Sequence, residues 1–331
     1  MASDGDGAPA AHAFLIEDAT ATPLDWAAAQ ARVAAPPASG YLWLQHNRAD
    51  ARAAALQEDL DHGGEVRAAL VEPVTEPRAA LLAAGALVIL RGCDQDAGDA
   101  LHRLVSLRLF VARRVVISAR MRRHAATHAL AAEIAGGRAP ATPAAFVERL
   151  AALTIDQLEH AVRELDQRVD RLETLALAEP TGALRARRLE LNALRRFAVL
   201  YRRHMRPQAD ALAALAAAPL PGADEATRAG LSETADQARR MAADVEELYD
   251  RAALVGGEIH MRVADRTNRT ILTLTVVSTV FMPLSFVAGL LGVNLAGIPF
   301  ANEPWAFGAL AGGLAALSLA MGATVWMINR R

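Results

Sequence analysis

Two stretches near the end of the chain, residues 271–293 and 305–328, carry no charged side chain over 23 and 24 positions. As helices they would each rise about 34–36 Å, enough to cross the roughly 30 Å hydrocarbon core of a bilayer. A helix apolar on every side offers no face to water, so burying both in a soluble protein would demand a far larger shell than 331 residues supply. The chain therefore reads as an integral membrane protein, with a large soluble part ahead of two closely spaced spans.

The flanks of those spans set an orientation. Arg262, Arg266 and Arg269 precede the first and Arg330 and Arg331 follow the second, whereas linker 294–304 holds no basic residue and one acid, Glu303. The positive-inside bias then puts both termini in the cytoplasm and the linker outside. The first eleven residues are acidic and small, without the basic segment and apolar core of a cleaved leader, so the soluble part is expected to stay cytoplasmic. Trp305 and Trp326 fall where interfacial aromatics are expected.

Composition narrows the function classes. All 35 basic residues are arginine and the formal net charge is −2, which gives no electrostatic footprint for nucleic acid. Cys93 is the single cysteine, so one chain can form neither a disulfide nor a cysteine metal site. His124 and His128 have helical i,i+4 spacing, but Ala125 stands where a zinc-protease signature needs glutamate, and surface or interface positions are expected for both. With no paired acids, nucleophile motif or phosphate-binding glycine loop anchored by context, an enzyme is not expected.

Ahead of the spans the texture changes once. Residues 12–16, 41–45, 78–83, 86–91, 103–111 and 114–118 read as short strands, and 23–32 and 50–59 as helices, giving a mixed or antiparallel sheet covered by helices within an α/β domain of residues 1–140. Residues 141–269 read as long helices and a stalk. There Ile155, Leu158, Val162, Leu165, Val169 and Leu172 alternate three- and four-residue spacings. A second helix, 184–215, carries Leu189, Leu194, Val199, Tyr201 and Met205, with a kink or break expected at Pro207. A third starts near Asp224 and meets no proline or paired-glycine break before Gly256–Gly257. Segment 270–293 is then the first span, 294–304 the outer loop, and 305–331 the second span with the C-terminus.

The first span is not a plain lipid-facing helix. Thr275, Ser278, Met282, Ser285 and Gly289 recur at spacings of three and four, Asn268 and Ile271 extend that stripe toward the cytoplasm, and Leu274 lies beside it. Val276, Val280, Phe281, Leu284 and Val287 are expected opposite. Such a stripe either mediates helix packing or, when several copies associate, lines an aqueous path whose oxygens replace part of an ion's hydration shell. Two spans per chain cannot enclose a path alone. Without a path, the alternative is a membrane-anchored sensor whose soluble domain binds a ligand.

Gly292-Val293-Asn294, directly after the first span, and the preceding Phe281-Met282-Pro283-Leu284-Ser285-Phe286-Val287-Ala288-Gly289-Leu290-Leu291 resemble the CorA superfamily of divalent-cation transporters, whose hallmark there is Gly-Met-Asn. The Gly-Val-Asn variant followed by Leu295-Ala296-Gly297-Ile298-Pro299 is similar to the family's ZntB-like zinc-transporting branch. The resemblance implies a CorA-like homopentamer in a bacterial inner membrane, in contact with lipid, with first spans around one pore. Gly292, Val293 and Asn294 then form its entrance, with Asn294 offering a carbonyl oxygen to the metal, and Asn268 is a polar position at the cytoplasmic end. Ile271 stands where many relatives have a constricting methionine, and Leu274, Thr275, Ser278, Met282 and Ser285 complete the wall. No resident cofactor is implied. The cargo is Zn2+, with Mg2+, Co2+, Ni2+ and Cd2+ as alternatives, and protons rather than ATP as the coupling partner. Five copies of Glu303 would ring the outer mouth and attract cations.

Overall fold

The computed structural model describes residues 11–48, 66, 70, 76–96, 103–178, 184–292, 300 and 303–329. The chain divides into two compact units, one of Met1–Leu177 with Arg187–Val255 and one of Ala178–Ala186 with Gly256–Arg331.

In the first unit, seven described strands form one sheet: β1 (Ala11–Glu17), β2 (Thr20–Leu24), β3 (Tyr41–Asn47), β4 (Arg78–Leu82), β5 (Gly85–Cys93), β6 (Leu104–Val111) and β7 (Val115–Arg120), in the order β2-β1-β3-β7-β6-β5-β4. β3 and β7 pair in parallel and every other described pair is antiparallel, so of the two expected forms, mixed or antiparallel, the sheet is mixed. The expected strands match β1 and β3–β7 within a few residues. β2 was not expected; it returns from β1 through Asp18 and Ala19, both at positive φ (49° and 62°), the geometry of a tight hairpin turn. The expected helix at 50–59 lies outside the described residues.

Each face of the sheet is covered by helix, which is why β3 reads as an unbroken run of buried positions rather than an alternation. On one face α1 (Trp26–Ala34), capped by Asp25 whose carboxylate accepts from the Ala28 amide at 2.7 Å, packs Ala29 and Val33 over Leu42, Leu44, Phe110 and Ile117. On the other face lie α2 (Ala125–Ala135) and α3 (Pro143–Ala178). Trp43 tilts against Phe146 with ring centroids 5.0 Å apart and donates its indole N–H to Ser118 Oγ at 3.0 Å. The Tyr41 hydroxyl reaches the Pro140 carbonyl at 2.8 Å.

α4 (Leu184–Ala217) contributes one unusual clasp. β4 stops pairing with β5 at Arg78↔Ile89, which leaves the β5 edge open beyond it. The buried Gln208 closes that edge: its Oε1 accepts from the Arg91 amide at 2.6 Å and its Nε2 donates to the Arg91 carbonyl at 2.9 Å.

α5 (Glu225–Leu291) is a single helix of 67 residues. The α3 stripe Ile155, Leu158, Val162, Leu165, Val169 and Leu172 is buried as its period requires. On α4 the buried stripe is Leu191, Leu194, Ala198, Tyr201, Met205 and Leu212, whereas Leu189 and Val199 are 73% and 47% exposed. Of the large residues expected on this helix, Leu194, Tyr201 and Met205 are buried, and Ala198 and Ala209 share their face. α4 also runs through Pro207 without a break in helical structure. α5 buries Leu231, Ala238, Met241, Val245, Leu248, Ala252 and Val255, and Arg251 bonds across to Asp166 at 2.8 Å, to Asp170, and to Glu173 at 3.3 Å on α3.

Candidate functional site

α5 continues through Gly256–Gly257 into the second unit, where it is joined by α6 (Ala306–Asn329). Both contain a window long and apolar enough to cross a membrane, and neither window is buried. Burial of α5 side chains ends at Ile259; no described residue beyond it is fully buried. A helix covered in apolar side chains and left uncovered by protein is matched to a lipid or an oligomeric surrounding, not to water.

Within this unit the small differences in exposure are informative. Over residues 264–291 of α5 the half-buried positions are Val276, Val280, Pro283, Leu284, Val287 and Leu291. At about 100° per residue these centre on one side of the helix. On α6, Ala306, Leu310, Leu314, Ser318 and Met321 are half-buried and likewise share a stripe, the pattern of two helices in mutual contact. Ile271, Leu274, Thr275, Ser278, Met282, Ser285 and Gly289 are all exposed, and their mean direction lies about 180° from the half-buried side of α5. Asn268 is exposed one turn earlier on the same flank. The polar stripe therefore faces away from α6, leaving it uncovered in a single copy. Phe281 departs from expectation: at 61% exposure it flanks the stripe instead of lying opposite.

The hydroxyl chemistry of the stripe is partly settled locally. Thr275 donates its proton to the Ile271 carbonyl at 2.9 Å, as Thr267, Thr270 and Thr273 do to Val263, Arg266 and Arg269. A hydroxyl that gives its proton to the i−4 carbonyl keeps its lone pairs for something else, which makes Thr275 an acceptor toward the uncovered side.

At the C-terminal end of α5 Gly292 completes the helix, its amide donating to the Ala288 carbonyl at 3.0 Å, and its φ is not in the left-handed region. Its role here is a helix end rather than an unusual dihedral. Val293 and Asn294 lie outside the described residues. Glu303 is exposed and starts the turn into α6: its amide donates to the Phe300 carbonyl at 3.0 Å and its own carbonyl accepts from the Ala306 amide at 3.1 Å. Phe300 adopts φ 62° and packs on Trp305 at 5.5 Å between ring centroids. Among the described residues no three His, Cys, Asp or Glu side chains are placed to hold a metal ion. An ion on the stripe from Ile271 to Gly289 would meet hydroxyls, backbone carbonyls and the Met282 thioether, with no carboxylate or imidazole on that stretch.

The whole arrangement, a mixed α/β unit, three long helices and a hairpin of two apolar helices, has known counterparts. The profile of the family described as "CorA-like Mg2+ transporter protein" matches residues 38–331. The chain is 31% identical over 297 residues to the divalent cation transporter CmaX of Pseudomonas aeruginosa, covering 88% of this chain and 86% of that one. It is 27% identical over 268 residues to the zinc transport protein ZntB of Pectobacterium atrosepticum, covering 80% and 79%. The solved structure of full-length CmaX superposes with a TM-score of 0.74 at 27% identity, over 98% of this chain and 99% of that one. The chain belongs to the CorA superfamily, in its branch of ZntB- and CmaX-like proteins. That family consists of transporters rather than enzymes.

Proposed function

We propose that this chain carries a divalent cation, with zinc as the cargo, across a bacterial inner membrane through a central path lined by the first spans of five copies. The observation that carries the reading is the stripe from Asn268 to Gly289, uncovered on α5 and turned away from α6. Copies packed around this stripe would bury it together, exchanging an exposed polar seam in lipid for a shared aqueous wall. In that assembly residues 1–140 and 141–269 are the cytoplasmic domain and stalk, 270–293 the lining span, 294–304 the outer loop, and 305–331 the outer-ring span and cytoplasmic C-terminus. Gly292, Val293 and Asn294 form the mouth, Asn294 presenting a neutral oxygen that attracts a hydrated ion without trapping it. Glu303 adds a ring of charge outside. Neither span contains Asp, Glu or His, so any proton-dependent step belongs to groups outside the spans.

Zinc flux into proteoliposomes of the purified protein tests this, with magnesium and cobalt as competitors for the cargo assignment. Asn294→Leu keeps the approximate side-chain volume and removes the oxygen; near-complete loss of flux is expected from a variant that retains the parent's size-exclusion profile. A correctly assembled leucine variant with unchanged initial flux removes Asn294 from the path, and a parent with no divalent-ion flux returns the chain to the sensor alternative.

A further inference from the structure

The parallel pair β3 and β7 ends at a place where the chain parts: the next described strand after β3 lies at the far edge of the sheet, while β7 leads directly into α2. Divergence of that kind leaves a crevice beyond the carboxyl ends of the strands, where open α/β sheets commonly receive ligands. A cavity of about 210 Å3 opens there, lined by Gln45, Arg120, Arg123, His124, Thr127 and His128.

Three features of its wall point to one ligand chemistry. First, His124 occupies the N-cap position of α2 but makes no side-chain cap bond, so the positive end of the helix is left to other partners. Second, the His124 side chain is almost wholly buried at 1% exposure, and among the described residues neither ring nitrogen has a hydrogen-bond partner. The ring is held in place: a Cβ added at Gly92 would stand 2.2 Å from its Nε2, so only glycine fits there. Buried polar atoms are nearly always satisfied, and with Nε2 set against Gly92 the orphaned Nδ1 is the ring atom left for a further group. Third, the buried Nε of Arg120 also lacks a partner among the described residues. Nearby, Arg123 pairs with Asp96 at 3.3 Å, while Arg103 and Arg122 approach Asp94 at 4.0 and 3.8 Å. Four guanidiniums thus face two carboxylates, which leaves the neighbourhood cationic. Burial, and then the charge of Arg120, holds the His124 imidazole neutral, with its pKa lowered to about 3, so it serves as an N–H donor rather than a further cation.

We propose that this cavity binds a phosphoryl group, taking its oxygens with Arg120, a His124 ring N–H and the first amides of α2. A metal is the wrong occupant for a wall of this charge, whereas an oxyanion meets the helix end, the unpartnered guanidinium nitrogen and the ring donor together. The volume exceeds that of phosphate alone and leaves room for a small attached group. The inference stands apart from the transport reading, because it concerns the first unit and requires no ion flux.

The test is phosphate binding to the full-length protein in detergent, followed by calorimetric titration with inorganic phosphate against chloride at matched ionic strength. Saturable binding of one phosphate per chain is expected, weakened tenfold or more in Arg120→Gln and changed less than threefold in Arg122→Gln, which does not line the cavity. No saturable binding above the chloride control overturns the proposal, as does parent-like affinity in Arg120→Gln. If that variant loses the parent's size-exclusion profile, Arg123→Gln and Thr127→Val replace it, and parent-like affinity in both overturns the assignment equally. Repeating the titration in nanodiscs of neutral lipid with and without phosphatidylglycerol separates the sources. A tenfold loss of phosphate affinity on adding that lipid identifies a headgroup as the ligand, and unchanged affinity identifies a soluble phosphate.

Discussion

Gln208 holds the open stretch of β5 by both backbone groups of Arg91, and replacing it isolates what that clasp is worth. Gln208→Leu keeps the approximate volume of a fully buried side chain while deleting the acceptor at 2.6 Å and the donor at 2.9 Å. Each net hydrogen bond contributes about 1 kcal/mol, and a buried group left unpaired costs roughly 1–3 kcal/mol. Arg91 is only half-buried, so water relieves part of the penalty and the lower end applies, about 2–3 kcal/mol for the pair. At about 1.4 kcal/mol per factor of ten, hydrogen exchange of peptides from β5 should quicken by roughly 30- to 140-fold, with smaller change in β1 and β3. Exchange from β5 within threefold of the parent would refute the reasoning. Gln208→Glu adds a second check. Its carboxylate would oppose the Arg91 carbonyl, whereas the protonated form restores a donor, so burial and repulsion raise its pKa in the folded state above the unfolded value. The contribution is then fully present below the unfolded pKa and lost as pH rises through the folded one, which makes this variant closer to the parent at pH 4 than at pH 8.

Glu303→Gln should slow initial zinc uptake at micromolar metal and low ionic strength, with the difference shrinking at about 0.15 M salt, where the Debye length is near 8 Å; equal uptake at low salt would leave Glu303 with topology alone. Arg149 grips Glu133 with two bonds, Nε to Oε2 at 2.9 Å and NH2 to Oε1 at 2.5 Å, and these bonds hold the Glu133 carboxyl below its ordinary pKa against the opposing effect of burial. The stabilisation is present above the unfolded pKa and lost as pH falls through the folded one, so Glu133→Gln should cost about 1 kcal/mol at pH 7 and converge on the parent under acid; a constant difference across pH in thermal melts would contradict the assignment.

How much was legible in the sequence depended on which residues carried the signal. β5 and β7 announce themselves through Leu87-Val88-Ile89-Leu90 and Val115-Val116-Ile117, β-branched runs buried on both faces. β2 does not: Thr20–Leu24 is a largely exposed edge strand containing Pro23, and its turn uses Asp18-Ala19 in place of the Asn-Gly or Asp-Gly pairs that mark such hairpins. The α4 face is hard to read because Leu189 and Val199 are exposed while Ala198 and Ala209, small enough to escape a hydropathy pattern, are buried to within 1%. The α5 stripe was legible because period and polarity coincide there, whereas Phe281 could be placed only by counting its angle about the axis. His124 and His128 were expected at surface or interface positions from their spacing; His128 is exposed, whereas His124 is buried at 1% exposure. The surroundings that make His124 notable, Gly92 and Arg120, come from β5 and β7, and nothing in the local sequence joins them.

The glycine pair inside α5 has a consequence for where that helix opens. Each glycine weakens a helix interior by roughly 1 kcal/mol relative to alanine, and a Cβ at Gly257 would meet nothing within 4 Å. Packing therefore does not demand glycine at 257, yet the pair stands where the two compact units divide, between Val255 and Ile259, the last buried anchors of α5. Two adjacent weak links lower the cost of breaking the hydrogen bonds of this turn, as Pro283, which has no amide donor, does further along the same helix. Stress on α5 would be relieved at these two places, one where the compact units divide and one inside the first span.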